Sequence, residues 1–129
     1  MFEKIEMMRM ARAMGQHVAQ RQTVVARNIA NADTPGFRAQ DLKPFEETYR
    51  QGTQLPELRR TAPQHFAEPT WSPVSQEIDS ATAELSPNGN SVSLEQEMLK
   101  AAELKRAHDM SLGIYQSALT LMRTSIGRR

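Results

Sequence analysis

The residues able to do chemistry in this chain are few and scattered. Histidine occurs three times, at His17, His65 and His108, each in a stretch of different character. A zinc site needs several ligands converging on one point, and three isolated histidines in a chain without cysteine do not supply it. Glu46 with Glu47, and Glu95 with Glu97, are nominal carboxylate pairs. Each pair falls where charge is solvated or sits at the start of a helix, and negative charge is favoured there by the helix dipole. No nucleophile elbow, phosphate-cradling glycine loop or metalloprotease spacing is present. His108 lies in an apolar seam, as a tolerated polar position there. No catalytic, cofactor-binding or metal-binding residue is expected, and an enzyme is the least favoured class.

The polar residues that stand out are amides. Asn28 and Asn31 sit in an otherwise small and apolar tract, Val24 to Ala32, just before Asp33, Thr34, Pro35, Gly36 and Phe37. Pro35 cannot continue a helix, and Thr34 to Phe37 suits a type II turn, with Pro35 at the position of φ near −65° and Gly36 at the one of positive φ. Asn31 can adopt the left-handed conformation common at helix ends. The amides of Asn28 and Asn31 can bond to free carbonyls or to a neighbouring chain. Ile29 between them is part of the helix face.

Two long helices must position this joint. From Phe2 to Ala32, residues Ala11, Met14, Val18, Val25, Ile29 and Ala32 recur at helical spacing, with Arg12, Gln16, Gln20, Arg21 and Arg27 on the other faces. Met7, Met8, Met10 and Met14 make its beginning adaptable in packing. A second helix is predicted from Ser93 or Leu94, with Ser93 and Gln96 as a capping box. Leu94, Met98, Ala101, Lys105, His108, Leu112, Tyr115, Leu119, Met122 and Ile126 form a heptad seam. A second stripe of mostly small residues runs beside it: Ala101, Leu104, Ala107, Ser111, Ile114, Ala118, Leu121 and Ser125. Two adjacent stripes make an apolar arc wider than one partner helix covers, so neighbouring chains are expected.

Between Lys43 and Asn90 the character changes. Pro44, Pro56, Pro63, Pro69, Pro73 and Pro87 interrupt every longer helical pattern, leaving room for a short helical turn over Phe45 to Arg50. Leu58, Phe66 and Trp71 are the expected anchors of a tract that does not carry enough apolar surface to order alone. Pro87-Asn88-Gly89-Asn90 is a turn signal. The expected fold class is mainly α: long N- and C-terminal helices packed as a coiled coil, with a Pro-rich irregular middle. The expected segments are 1–33 for the first helix, 34–92 for the turn and middle, and 93–129 for the heptad helix.

Composition narrows the partners. A net charge of +1 does not suit a general nucleic-acid binder, which carries a concentrated basic face. No apolar run approaches the roughly 20 residues of a membrane span, and the start, Met1 to Arg9, mixes charges among its apolar residues, so no cleavable secretory signal is expected.

The run Ala26 to Phe37, with its Asn-Ile-Ala-Asn core, resembles the N-terminal signature of bacterial flagellar rod and hook proteins. Ala32 to Phe37 followed by Arg38, Ala39 and Asp41 is similar to the basal-body rod members of that family. Leu58, Thr61, Pro63 and His65 are similar to its middle region, and Asn88, Gly89, Asn90 and Val92 with Glu95 and Glu97 to the start of its C-terminal helix. Lys105, Ala107 and His108 depart from the pattern, which has an asparagine and a tyrosine or similar residue there.

The resemblance implies a non-enzymatic subunit of the proximal rod, exported unfolded through the flagellar type III apparatus without cleavage. It also implies helical assembly into the drive shaft and export channel wall, with other copies of itself, FlgC and the FliE/MS-ring base as partners, in the periplasm. Phe45 and Tyr49 loosely fit a short motif read by the export gate. Val18, Val25, Leu94, Met98, Leu112, Tyr115, Leu119, Met122 and Ile126 are then the helix seam, and Asn28 to Phe37 the register-setting joint. The alternative is a soluble helical-hairpin adaptor or secretion chaperone acting as a discrete dimer. An isolated monomer is expected to be poorly ordered, and alanine at both Asn28 and Asn31 to keep the monomer soluble while impairing assembly.

Overall fold

A computed structural model describes residues 2–54, 77–79 and 86–127. Five elements follow in order: α1 (Phe2–Ala30), β1 (Gln40–Leu42), α2 (Phe45–Gln54), β2 (Glu77–Asp79) and α3 (Leu94–Ile126). The chain is mainly helical, with the two long helices at its ends and a less regular middle. Leu58, Phe66, Trp71 and His65 lie outside the described residues. No described helix is long and apolar enough to cross a membrane.

α1 and α3 pack antiparallel as a hairpin, for Asn28 meets Glu97 near one end while Gly15 faces Ser111 further along. Val18, Val25 and Leu104 form the buried centre, with Met14, Ile29, Ala101 and Ala107 packed around it. Ala11, Ala13, Val24 and Ala118 extend the core. Small residues bring the backbones together: a Cβ on Gly15 would lie 3.4 Å from Ser111 Oγ.

The helix ends differ from the sequence expectation in two places, the end of α1 and the Ser93 cap. α1 stops at Ala30, not Ala32. Asn31 N–H is shared between the carbonyls of Arg27 and Asn28 at 3.2 and 3.1 Å, and Ala32 N–H reaches Ile29 O at 3.2 Å. The last turn thus tightens toward i→i+3 bonding. Asn31 does not take the left-handed conformation, since no described residue other than glycine has positive φ. Ser93 does occupy the N-cap of α3, with extended backbone, but its side chain makes no cap bond. Glu95 and Glu97 in the first turn complement the dipole instead.

The turn over Thr34 to Phe37 forms as expected. Phe37 N–H donates to Thr34 O at 3.3 Å, and Gly36 has φ of 71°. The chain then enters β1, which pairs antiparallel with β2, Gln40 opposite Asp79 and Leu42 opposite Glu77. Periodicity could not show a three-residue strand. α2 runs four residues past Arg50, to Gln54. Pro44 precedes it and its carbonyl accepts from both Thr48 N–H and Thr48 Oγ1 at 3.1 Å.

A candidate assembly joint

Asn28 is fully enclosed, with 0% of its surface exposed. It sits within the last turn of α1, on the face that looks toward α3 and β1. Its Nδ2 donates to Gln40 O at 2.7 Å and to Glu97 Oε2 at 3.0 Å, and its Oδ1 accepts from Gln40 N–H at 3.1 Å. The side-chain amide therefore pairs with the Gln40 backbone as a neighbouring strand would. One residue ties α1, β1 and α3 together, and both of its donor hydrogens are used.

Glu97 is the buried counterpart, 2% exposed. Its other oxygen, Oε1, accepts from Lys100 Nζ at 2.8 Å. The same ammonium lies 3.4 Å from Asp41 Oδ2, and Asp41 takes a bidentate pair from Arg21, Nε to Oδ1 at 2.6 Å and Nη2 to Oδ2 at 2.8 Å. Leu42 N–H also donates to Asp41 Oδ1 at 2.8 Å. Burial works to raise the Asp41 carboxyl, but the Arg21 fork, the Leu42 N–H and the Lys100 charge outweigh it and hold the pKa below the ordinary value. Lys100 behaves conversely: burial works to lower it, while Glu97 and Asp41 prevail and raise it. The result is a continuous ladder of charge-assisted bonds, Arg21–Asp41–Lys100–Glu97–Asn28, that needs the strand β1 in place to be complete.

Asn31 lies at the surface edge of the same helix end. Its Nδ2 donates to Arg27 O at 2.8 Å and its Oδ1 accepts from Thr34 Oγ1 at 3.2 Å. Asp33, Thr34, Pro35 and Gly36 are exposed, and Ile29 and Phe37 are half-buried. A second enclosed asparagine, Asn90, closes the joint from the other side. Its Nδ2 stands 2.9, 2.7 and 2.9 Å from the carbonyls of Asn31, Ala32 and Thr34, and its Oδ1 accepts from Val92 N–H at 2.7 Å. With two hydrogens for three carbonyls, one bond is shared. Gly36 N–H donates to Asn88 O at 3.1 Å, Ser91 N–H to Phe37 O at 3.0 Å, and Ala39 N–H to Ser91 Oγ at 2.8 Å. Gly89, with φ of 78°, brings its backbone against Gly36; a Cβ there would stand 3.6 Å from Gly36 Cα.

His17 secures the far end of β1. It is buried, and its Nε2 donates to Lys43 O at 2.8 Å. Its ring tilts against Phe45 at 5.7 Å, and Phe45 meets Tyr49 at 5.3 Å. Burial lowers its pKa, with a smaller contribution from the Arg21 charge, against the Lys43 bond and Asp41.

The seam residues divide between two settings. Val18 and Val25 are buried in the hairpin, whereas Leu94, Met98, Leu112, Tyr115 and Ile126 are exposed and Leu119 and Met122 half-buried. α1 takes the second stripe, Leu104, Ser111 and Ala118, because its small side chains admit closer approach. His108 is half-buried and Lys105 exposed on the outer face. Sequence reading missed the buried role of Glu97, the Arg21–Asp41 pair and the clamp of Asn90. Asp41 had signalled only through its place in the rod-family resemblance, Asn90 also as part of a turn signal and Glu97 also as a charge at a helix start.

Known proteins resemble the chain in this stretch and beyond it. The family model described as flagella basal body rod protein matches residues 16–38, the part of α1 and the turn that hold Asn28 and Asn31. The chain is 35% identical to the flagellar basal body rod protein FlgB of Agrobacterium fabrum over 98% of this chain and 96% of that relative. It is 36% identical to the FlgB of Escherichia coli over 73% of each, and 33% identical to that of Salmonella typhimurium over 78% of each. The chain belongs to the FlgB family of flagellar basal body rod proteins, structural subunits of that assembly.

Proposed function

We propose that this chain builds the proximal part of the rod by helical assembly, with residues 1–33 and 93–129 forming an inner coiled-coil layer and 34–92 the turn and Pro-rich middle between them. The observation that carries the reading is the apolar row left outside on α3. Met98 is 62% exposed and Ile126 74%, with Leu94, Leu112 and Tyr115 also exposed. A single hairpin leaves this row in water, and neighbouring copies would remove it at about 25 cal/mol per Å² of apolar surface. On α1, Ile5, Met7 and Met10 add to the open surface.

Asn28 enters this mechanism from inside. Its amide is enclosed, so it sets the angle of the joint that neighbours meet and makes no direct contact with them. Asn31 and the exposed turn from Asp33 to Gly36 remain the part of the motif accessible to another subunit. FlgC above and the FliE/MS-ring base below are the partners at the ends of such a segment. Export through the type III apparatus in an unfolded state places it in the periplasm as part of the drive shaft and channel wall.

Sedimentation velocity tests the reading against a discrete adaptor or chaperone. Growth with concentration, or on addition of FlgC, supports a rod subunit; a stable dimer that never grows refutes it. Circular dichroism of the dilute monomer tests the coupling of folding to assembly, which a cooperative, fully helical melt at low micromolar concentration would exclude.

A further inference from the structure

The seam is not the only apolar row that α3 leaves open. Leu99 is 63% exposed, Met110 54% and Leu121 50%. At about 100° per residue, with Leu104 taken as the direction of α1, Leu94, Met98, Leu112, Tyr115 and Ile126 centre about 70° to one side. On the same wheel Leu99, Met110 and Leu121 centre about 120° to the other side, so the two rows lie on nearly opposite flanks. The hairpin contact lies between them. The rows also differ in charge: exposed Lys105 and Arg123 lie in the first row and exposed Glu103 in the second.

We infer that these rows are two halves of one contact between copies of this chain, the Leu112 row of one copy seating on the Leu121 row of the next. Two different patches on opposite flanks generate a head-to-tail contact that propagates, whereas one patch meeting itself closes into a dimer. The charges select the same pairing. Lys105 meets Glu103 when unlike rows join, but Lys meets Lys or Glu meets Glu when like rows join. This inference rests on the assembly reading, and it specifies the partner surface of each flank.

Complementation between two blocked variants tests it. Leu112→Asp and Leu121→Asp each place a charge on one exposed row, outside the hairpin core, and circular dichroism verifies that each variant keeps the helix content of the dilute wild-type chain. Each alone is expected to sediment as a monomer, since enclosing an unpaired carboxylate weakens the contact by at least about a hundredfold. Mixed in equal amounts, they are expected to stop at a dimer, because the intact Leu121 row of one meets the intact Leu112 row of the other. Self-association of either variant alone, or no association of the mixture while the wild-type chain grows, overturns the inference and leaves the assembly reading standing. Leu121→Asp growing like the wild type would equally remove the second row, as if another segment of the chain covered it. A wild-type chain that stays monomeric with FlgC present overturns the assembly reading and this inference with it.

Discussion

Asn28 Nδ2 and Glu97 Oε2 stand 3.0 Å apart across 69 residues of sequence, in a site closed to water. This one bond joins the end of α1 to the first turn of α3. Because Asn28 also holds both backbone groups of Gln40, the helix pair and the strand are specified together. Replacing Asn28 by Ala leaves those partners short of bonds and should cost about 2–3 kcal/mol. Asn28→Asp should cost more, since it sets a second carboxylate against Glu97 and removes the donor. Glu97→Gln should recover part of that loss by donating to Asp, giving a coupling of about 1 kcal/mol or more in a double-mutant cycle followed by urea unfolding.

The two long helices were legible because a stripe repeated over many turns outweighs local exceptions. The joint was legible only as punctuation. Pro35 and Gly36 announced a turn, but nothing in the spacing of Asn28 and Gln40 says that a side-chain amide takes the place of a strand. Glu97 read as a charge at a helix start, which it is, yet its burial depends on Lys100 and Asn28 converging from two elements. The heptad spacing could be read from the sequence, but which stripe faces α1 depends on side-chain size. Leu104, Ser111 and Ala118 allow the closer approach, and Gly15 supplies the matching gap.

Asp41 predicts an acid dependence. Its folded pKa lies below the ordinary value of 3.8, so its contribution is complete above pH 4 and is lost as pH falls through the lowered folded value. Asp41→Asn should remove about 1–2 kcal/mol at pH 7, between the values for exposed and buried pairs. It should also flatten the stability profile below pH 4. A profile below pH 4 with unchanged slope in the variant would place the acid sensitivity elsewhere.

His17 acts in a separate window. Burial lowers its pKa from 6.5, so the fold holds the neutral ring; the stabilisation is complete above pH 6.5 and declines as pH falls toward the lowered value. The wild-type chain should therefore lose stability between pH 7 and 5. His17→Gln, with an amide still able to donate to Lys43 O, should show a flatter profile over that interval. Titration of the ring by NMR gives the folded pKa directly, and a value at or above 6.5 would contradict the assignment.

Asn90 and Asn31 make a ranked pair. Asn90 is enclosed and its amide serves three carbonyls that follow α1 as well as Val92 N–H. Asn31 is half-exposed, and water can replace the bonds it makes to Arg27 O and Thr34 Oγ1. Asn90→Ala should thus cost about 2–3 kcal/mol and Asn31→Ala under about 1 kcal/mol. The distinction matters for assembly. Asn31→Ala acts on an exposed part of the joint and leaves the hairpin intact, so any loss of rod formation in that variant reports a contact with another subunit. Asn90→Ala loosens the turn against α3 and should lower rod formation only in proportion to the lost stability, with recovery at lower temperature. Thermal melts of both variants beside a motility assay separate the two effects, and equal destabilisation by the two substitutions would refute the division of roles.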